Sequence, residues 1–321
     1  MHRVDISEKS DNIPSYNMAI KKDVFGEGAE RFVRRFQFLD DDLREFIGPK
    51  MVVKESRFLN ESDTFERRLS HHVTFMRTQA QVSIIADKFN QCFDLLTSQF
   101  VASQSDECHA SLSKPKPKIE FIEPWRIQLY DNELGDLCYL VEPMLEGTYE
   151  KFNDNKGEVK DNADTSPKMF HNIVQHANLE VTHLEVIAEA SKSEESDEDN
   201  NDDSSDGKDD SINCTISQDV HYYYMSSKYE DFPQAFSHFT YENSRRRIIV
   251  LDLQGVCNVN PDGTKVYRLT DPAIHRNKRS SASKFGRTDH GRKGISCFFN
   301  SHKCCDVCRM LGLQIRNWPN Y

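Results

Sequence analysis

The longest regular pattern in the chain lies between residues 60 and 96. Phe65, Leu69, Val73, Met76 and Ala80 recur every three or four positions, and Ile84, Ala86, Phe89, Phe93 and Leu96 continue the series. Side chains at that spacing share one face of an α-helix, so a long amphipathic helix is predicted. Its flanks carry a different pattern. Upstream, the two glycines of FGEGAERFVRRFQFL mark a turn, and Met51-Val52-Val53-Lys54 is a short apolar run ending in a charge, which reads as small β elements. Downstream, the polar loop SQSDECHASLSKPKPK leads into three β-rich runs, Ile119–Ile122, Trp125–Tyr130 and Leu137–Val141, separated by Pro124 and the turn DNELGD. Farther on, Pro233 opens a predicted helix over QAFSHFTYENS. The consecutive Ile248, Ile249, Val250 and Leu251 predict a strand buried on both faces, and it ends in Asp252. The block GISCFFNSHKCCDVCRMLGL has helical spacing with thiols on its early turns. No internal repeat is visible.

Length and composition refine this outline. The 321 residues suffice for one large domain or two lobes sharing a cleft. A hydrophobic content of 37% and a mean hydropathy of −0.70 predict that part of the chain stays unpacked. Residues 1–22 read as a flexible arm, and about 160–230 as a disordered polar insertion with a short helix at 169–190. Between Glu194 and Asp210 ten acidic residues stand against Lys208, a net −9 of the chain's −11. The remainder is nearly neutral, so no basic surface argues for nucleic acid. The polar start MHRVDISEKSDN lacks the apolar core of a secretory signal, and no apolar run approaches the roughly 18 residues of a membrane helix, so a cytoplasmic protein without a membrane partner is expected. Three of nine cysteines fall within five positions, a pattern that in a reducing compartment points to metal before disulfide.

Three groups carry candidate chemistry. The first is His302-x-Cys304-x3-Cys308, three ligands of the type zinc prefers. A fourth is open among Cys305, Cys297, His290 and His238. If the segment is helical, Cys304 and Cys308 share a face. The second is acidic: Asp252 at a strand end, Gln254 two positions on, and Asp271 in LTDP. On an extended segment Asp252 and Gln254 point the same way and could hold one Mg²⁺. The third is Lys54, a strand lysine of the kind that neutralises nucleotide phosphates. There is no H-R-D, no D-F-G and no G-x-G-x-x-G, which disfavours an ordinary protein kinase. His71-His72 read as a polar helix face, and Arg245, Arg246 and Arg247 as a surface patch.

In this order the pieces resemble the alpha-kinase family of atypical protein kinases, typified by myosin heavy chain kinases and elongation factor 2 kinase. The residues that carry the resemblance are GAERF at 28–32, VVKES at 52–56, TQAQ and ADKFN at 78–90, YLVEPMLEGTYEKFNDNKG at 139–157, QAFSHFTYE at 234–242, IVLDLQGV at 249–256, LTDPAIH at 269–275 and FFNSHKCCDVC at 298–308. The resemblance implies a two-lobed α+β atypical protein-kinase-like fold. A β-rich, ATP-binding N-lobe would span 23–142 and a zinc-stabilised catalytic C-lobe 143–321.

Carried over residue by residue, the resemblance implies that Arg31 and Lys54 contact nucleotide phosphates and that Glu142 and Met144 form a hinge holding adenine. Lys151 and Asn155 would line the nucleotide and metal region, Asp252 and Gln254 would hold Mg²⁺, and Asp271 would be the catalytic carboxylate. His238, His302, Cys304 and Cys308 would hold structural Zn²⁺. The implied activity is ATP-dependent phosphoryl transfer to Ser or Thr of a protein substrate, Thr favoured, with autophosphorylation; the alternative is a zinc-stabilised pseudokinase scaffold. Calmodulin dependence is disfavoured, because no basic, aromatic amphipathic helix precedes the core. One departure is Thr288-Asp289 in FGRTDHGRKG, where an acid is expected to add charge near the substrate channel.

Overall fold

A computed structural model describes residues 15–28, 31–40, 42, 45–57, 64–102, 115–131, 135–159, 180–185, 231–277 and 285–313. In chain order the strands are β1 (Ser15–Glu27), β2 (Arg31–Leu39), β3 (Phe46–Ser56), β4 (Lys118–Phe121), β5 (Trp125–Asp131), β6 (Gly135–Pro143), β7 (Tyr149–Lys151), β8 (Glu180–Glu185), β9 (Ile248–Leu251), β10 (Gln254–Val259), β11 (Lys265–Thr270) and β12 (Ala273–Arg276). The helices are α1 (Phe65–Ala102), α2 (Phe232–Asn243), α3 (Gly291–Ser301) and α4 (Asp306–Met310).

The N-terminal strands close into a barrel in the order β1-β2-β3-β6-β5-β8. Its interior is filled by Met18, Phe36, Met51, Val53, Ile127 and Val141, contributed by strands that alternate inward and outward positions. Residues 15–22, read as part of a flexible arm, instead belong to β1, which sends Met18 into this core, and residues 1–14 lie outside the described residues. The insertion predicted over 160–230 also contains structure. β8 is extended where a helix was predicted at 169–190, since its backbone pairs with β1 on one side and β5 on the other. The acidic run lies outside the described residues.

Helix α1 runs 38 residues and presents Val82, Ala86, Phe89, Phe93 and Leu96 to the interior. Ile84, which the spacing assigned to that face, is 71% exposed. It stands two residues from both Val82 and Ala86, and at 100° per residue this places it on the opposite side. His72 also departs from its reading as a polar face. It lies two turns before buried Gln79 on the same stripe, and its Nε2 meets the Cys138 carbonyl at 3.0 Å, docking α1 onto β6. Burial, with Arg31 nearby, pushes its imidazole down to about 4, so it is neutral there.

The second half of α1 packs Phe89 and Phe93 against Phe232 and Phe236 of α2, in a core that also takes Ile119, Val250, Leu269, Ile274 and Val307. Above it lies the sheet β4-β11-β10-β7, with β9 and β12 paired separately. The expected division at 142/143 is thus not clean in sequence, because β4 pairs in parallel with β11, far along the chain. The final block is two helices rather than one: α3 stops at Ser301, His302 is extended (φ −68°, ψ 125°), and the chain becomes helical again at Asp306.

Gly255 fixes the closeness of β10 and β11. Its φ is +155°, and a Cβ at this position would lie 2.0 Å from the Arg268 carbonyl oxygen. Gly255→Ala is expected to cost about 3 kcal/mol through overpacking and backbone strain. A shift of the urea unfolding midpoint relative to wild type measures it; an unchanged midpoint would contradict this account of the pairing.

Candidate active site and metal-ligand cluster

Strand register assembles the site. Gln254 of β10 stands opposite Lys151 of β7 and opposite Thr270 of β11, so three side chains share one level of the sheet. Asp252 follows β9 and Asp271 follows β11, and both adopt left-handed backbone conformations, with φ of 59° and 51°. Asp tolerates this region better than most residues but at a cost, so the fold must hold both turns. Asn153 holds the first. Fully buried, its Nδ2 donates to Gln234 Oε1 and Ser237 Oγ, each at 3.0 Å, while its Oδ1 accepts from the Leu253 N–H at 2.9 Å. Asn153 carries no local signal in the sequence, because its partners lie 81 to 100 positions away.

Lys54 lies at the centre. Its Nζ is 2.7 Å from Glu142 Oε2 and 2.8 Å from Asp271 Oδ2, and donates to Thr270 Oγ1 at 2.7 Å. Thr270 in turn donates to Glu142 Oε2 at 2.7 Å. Burial alone would lower the lysine, but Asp271 and Glu142 hold it above its ordinary value, so it remains an ammonium. The Arg31 guanidinium stacks 4.0 Å above the Phe75 ring, with Nε 4.0 Å from Asp271 Oδ1. Phe75 and Thr270 are thus further members of the site.

A cavity of ≈ 280 Å³ joins these groups. Arg31, Asp252, Gln254 and Asp271 line it, together with Gly28 at the tip of the β1–β2 turn, Phe75 of α1, and residues 285–288. Lys54 and Asp252 are thereby linked through Asp271, which contacts the lysine and shares the cavity with Asp252. Lys151 Nζ lies 2.6 Å from Asp252 Oδ1. Burial raises the Asp252 carboxyl above its ordinary value against the opposing pull of Lys151. The Gln254 amide donates to Asp252 Oδ2 at 3.4 Å. The extended segment assumed for Asp252 and Gln254 is absent, since the left-handed turn at Asp252 sets their relation. Cations facing carboxylates across a small cavity suit a polyanionic ligand carrying a divalent ion.

Glu142 and Met144 stand elsewhere. The Glu142 carboxylate is engaged by Lys54 and Thr270, the Met144 N–H donates to the Lys50 carbonyl at 2.9 Å, and neither residue lines the cavity. Asn155 does not line it either; its Nδ2 donates to the Thr288 carbonyl at 3.3 Å. Asp289, expected to charge the substrate channel, turns inward. Its side chain is 4% exposed, lies 3.5 Å from Arg276 Nε, and accepts from the backbone N–H groups of Arg276 and Gly291.

A second cluster forms at α2. The donor atoms of His238, His302, Cys304 and Cys308 all lie within 4.8 Å of one another. His238 Nδ1 is 3.7 Å from Cys304 Sγ, and His302 Nε2 is 3.6 Å from Cys308 Sγ. Cys304 and Cys308 do not share a helix face; the break between α3 and α4 folds Cys304 back toward α2. Of the four candidates for the fourth ligand, His238 from α2 joins the group.

A model of the alpha-kinase family matches residues 26–182 and 213–308. Myosin heavy chain kinase B of Dictyostelium discoideum is 26% identical over 225 residues, 70% of this chain and 20% of that protein. Alpha-protein kinase vwkA of the same organism is 46% identical over 87 residues, 27% of this chain and 13% of that protein. The chain thus spans a fifth or less of the length of these relatives. Among solved structures, the alpha-kinase domain of myosin heavy chain kinase A in complex with AMP aligns at 21% identity over 93% of this chain and 91% of that one, with a TM-score of 0.52, a likeness of fold. With most of its length matched by the family model, the chain belongs to the alpha-kinase family.

Proposed function

We propose that the chain is a two-lobed protein kinase transferring the γ-phosphoryl group of ATP to Ser or Thr of a protein substrate, with Thr favoured and autophosphorylation accompanying it. The observation that carries this reading is the contact of Lys54 with Asp271 at the edge of a cavity that Asp252 also lines. Nucleotide as the ligand is supported by the solved alpha-kinase domains of myosin heavy chain kinase A, which hold AMP and ADP.

In this reading Arg31 and Lys54 neutralise the phosphate oxygens, the main requirement of phosphoryl transfer. A Mg²⁺ held by Asp252 and Gln254 would supply further charge neutralisation; Lys151 occupies the carboxylate oxygen it would share. The acceptor hydroxyl oxygen bonds to the γ-phosphorus as the bond to the β–γ bridging oxygen breaks. The hydroxyl proton passes to Asp271, whose Oδ1 has no hydrogen-bond partner among the described residues. Thr270 and Glu142 act through Lys54 by fixing its ammonium. Nucleotide binding without transfer would instead mean a pseudokinase scaffold.

The donors at α2 suit structural zinc. In a tetrahedral site with ordinary Zn–N and Zn–S bonds, a nitrogen and a sulfur lie about 3.5 Å apart, close to the separations of 3.7 and 3.6 Å across this cluster. His238, His302, Cys304 and Cys308 would fill all four positions, leaving none for a catalytic water.

Asp252→Asn keeps the shape of the side chain and is expected to lower transfer from labelled ATP at least ~100-fold with little change in thermal midpoint. Lys54→Met is expected to abolish transfer and also to destabilise by about 3–5 kcal/mol, because it leaves Glu142 buried without its cation. Wild-type labelling that persists in both variants would refute the assignment. For the zinc, metal analysis of purified protein should return one equivalent. Cys304→Ser or chelation should lower the thermal midpoint sharply, as expected when metal binding contributes on the order of 10 kcal/mol to folding; metal-free protein of unchanged stability would rule the site out.

A further inference from the structure

The wall of the cleft formed by residues 285–288 is tied from behind by residues the catalytic reading does not use. His275 of β12 is fully buried between this wall and the loop after β7. Its Nε2 lies 2.8 Å from the Asn155 carbonyl, and its Nδ1 lies 3.1 Å from the His290 backbone nitrogen. A carbonyl can only accept and a backbone N–H can only donate, so a single form of the ring satisfies both: neutral, with the proton on Nε2. The other neutral tautomer sets donor against donor at Nδ1 and acceptor against acceptor at Nε2. The ring stacks on His290 with centroids 5.3 Å apart and an interplanar angle of 7°, and Gly294 gives it room, since a Cβ there would lie 2.0 Å from His275 Cδ2.

Two further ties act on the same stretch. Asn155, held through its carbonyl by His275, donates from Nδ2 to the Thr288 carbonyl at 3.3 Å. Asp289 accepts from the N–H of Gly291, the first residue of α3, at 2.9 Å, and it binds β12 by accepting from the Arg276 N–H at 3.0 Å. These ties run to β12 and to the Asn155 loop, and His275 holds both the loop, at Asn155, and His290, two residues past the wall.

The geometry points to His275 as a positioning residue that, by holding His290 through its Nε2-protonated tautomer, fixes the adjoining wall at 285–288 and thereby sets the affinity for the phosphoryl acceptor. The acceptor is singled out because the wall, like Asp271 and Pro272 on the same cavity, comes from the C-terminal part of the chain, whereas the phosphate-facing cations come from β2 and β3. The assignment to an acceptor rests on the kinase reading above; the tie itself does not.

The test uses the full chain. His275→Leu removes both hydrogen bonds, and His275→Gln, whose amide both donates and accepts, can restore them. With a basic threonine peptide as probe, His275→Leu is expected to raise the peptide KM about 10-fold, while kcat and the affinity for a fluorescent ATP analogue stay within about 2-fold, and His275→Gln should recover most of the loss. Amide hydrogen exchange at 286–290 should accelerate in His275→Leu and not in His275→Gln. Equal losses in nucleotide and peptide affinity, or unchanged exchange in the leucine variant, would overturn the proposal. Should His275→Leu fail to fold, ¹⁵N-histidine spectra of the wild type decide: a proton resident on Nε2 supports the tie, and one on Nδ1 or averaged between both refutes it. If wild type transfers no phosphoryl group, the kinase reading fails, while exchange and ¹⁵N spectra still report on the tie.

Discussion

One buried cation organises the centre of this molecule. Lys54 is 3% exposed, and an ammonium so placed is tolerable only where carboxylates surround it at hydrogen-bond distance. Glu142 and Asp271 do this from two different sheets, Glu142 from β6 of the barrel and Asp271 from the turn after β11. The pair of ion contacts therefore joins the N-terminal barrel to the C-terminal sheet at the mouth of the cavity. Removing Lys54 would leave Glu142 as a buried charge without its cation, so the geometry of the cleft and its electrostatics depend on the same side chain.

The rest of the site follows from how the strands end. β9 and β11 each stop in an aspartate with left-handed backbone, a conformation that costs energy and persists because the surroundings over-determine it. Asn153 supplies much of that constraint at Asp252, with four hydrogen bonds to three residues, Gln234 and Ser237 of α2 and Leu253 of the β9–β10 turn. Gly255 allows the next residue pair to approach more closely than any side chain would permit. Two carboxylates are thus delivered to one cavity by rigid backbone, with the orienting groups buried behind them.

The same division between facing and supporting groups separates the residues selected by resemblance. Arg31, Asp252, Gln254 and Asp271 face the cavity, and Lys54 contacts it through Asp271. Glu142, Lys151 and Asn155 act on those groups or on the walls instead. A motif identifies residues that matter without distinguishing these roles, because both are tied to the same short stretches of sequence. Asp289 illustrates the point: its charge is read in sequence as a feature of the channel, yet in the fold it is consumed by Arg276 and by two backbone N–H groups.

The sequence by itself determined what local chemistry can encode. The helical period of α1, the apolar run of β9 with Asp252 at its end, the proline at the start of α2, and the donor types His302, Cys304 and Cys308 were all legible because each depends on neighbours a few positions away. Only the tertiary structure decided which strands share a sheet. It paired β4 with β11 across 148 positions, closed the barrel through β8 inside a segment whose composition argued against order, and turned His72 and His275 into buried ties to distant backbone groups. The physical reason is the same in each case: a hydrogen bond or ion pair between residues far apart in the chain leaves no periodic trace in the sequence, and its energy appears only once folding has removed both partners from water.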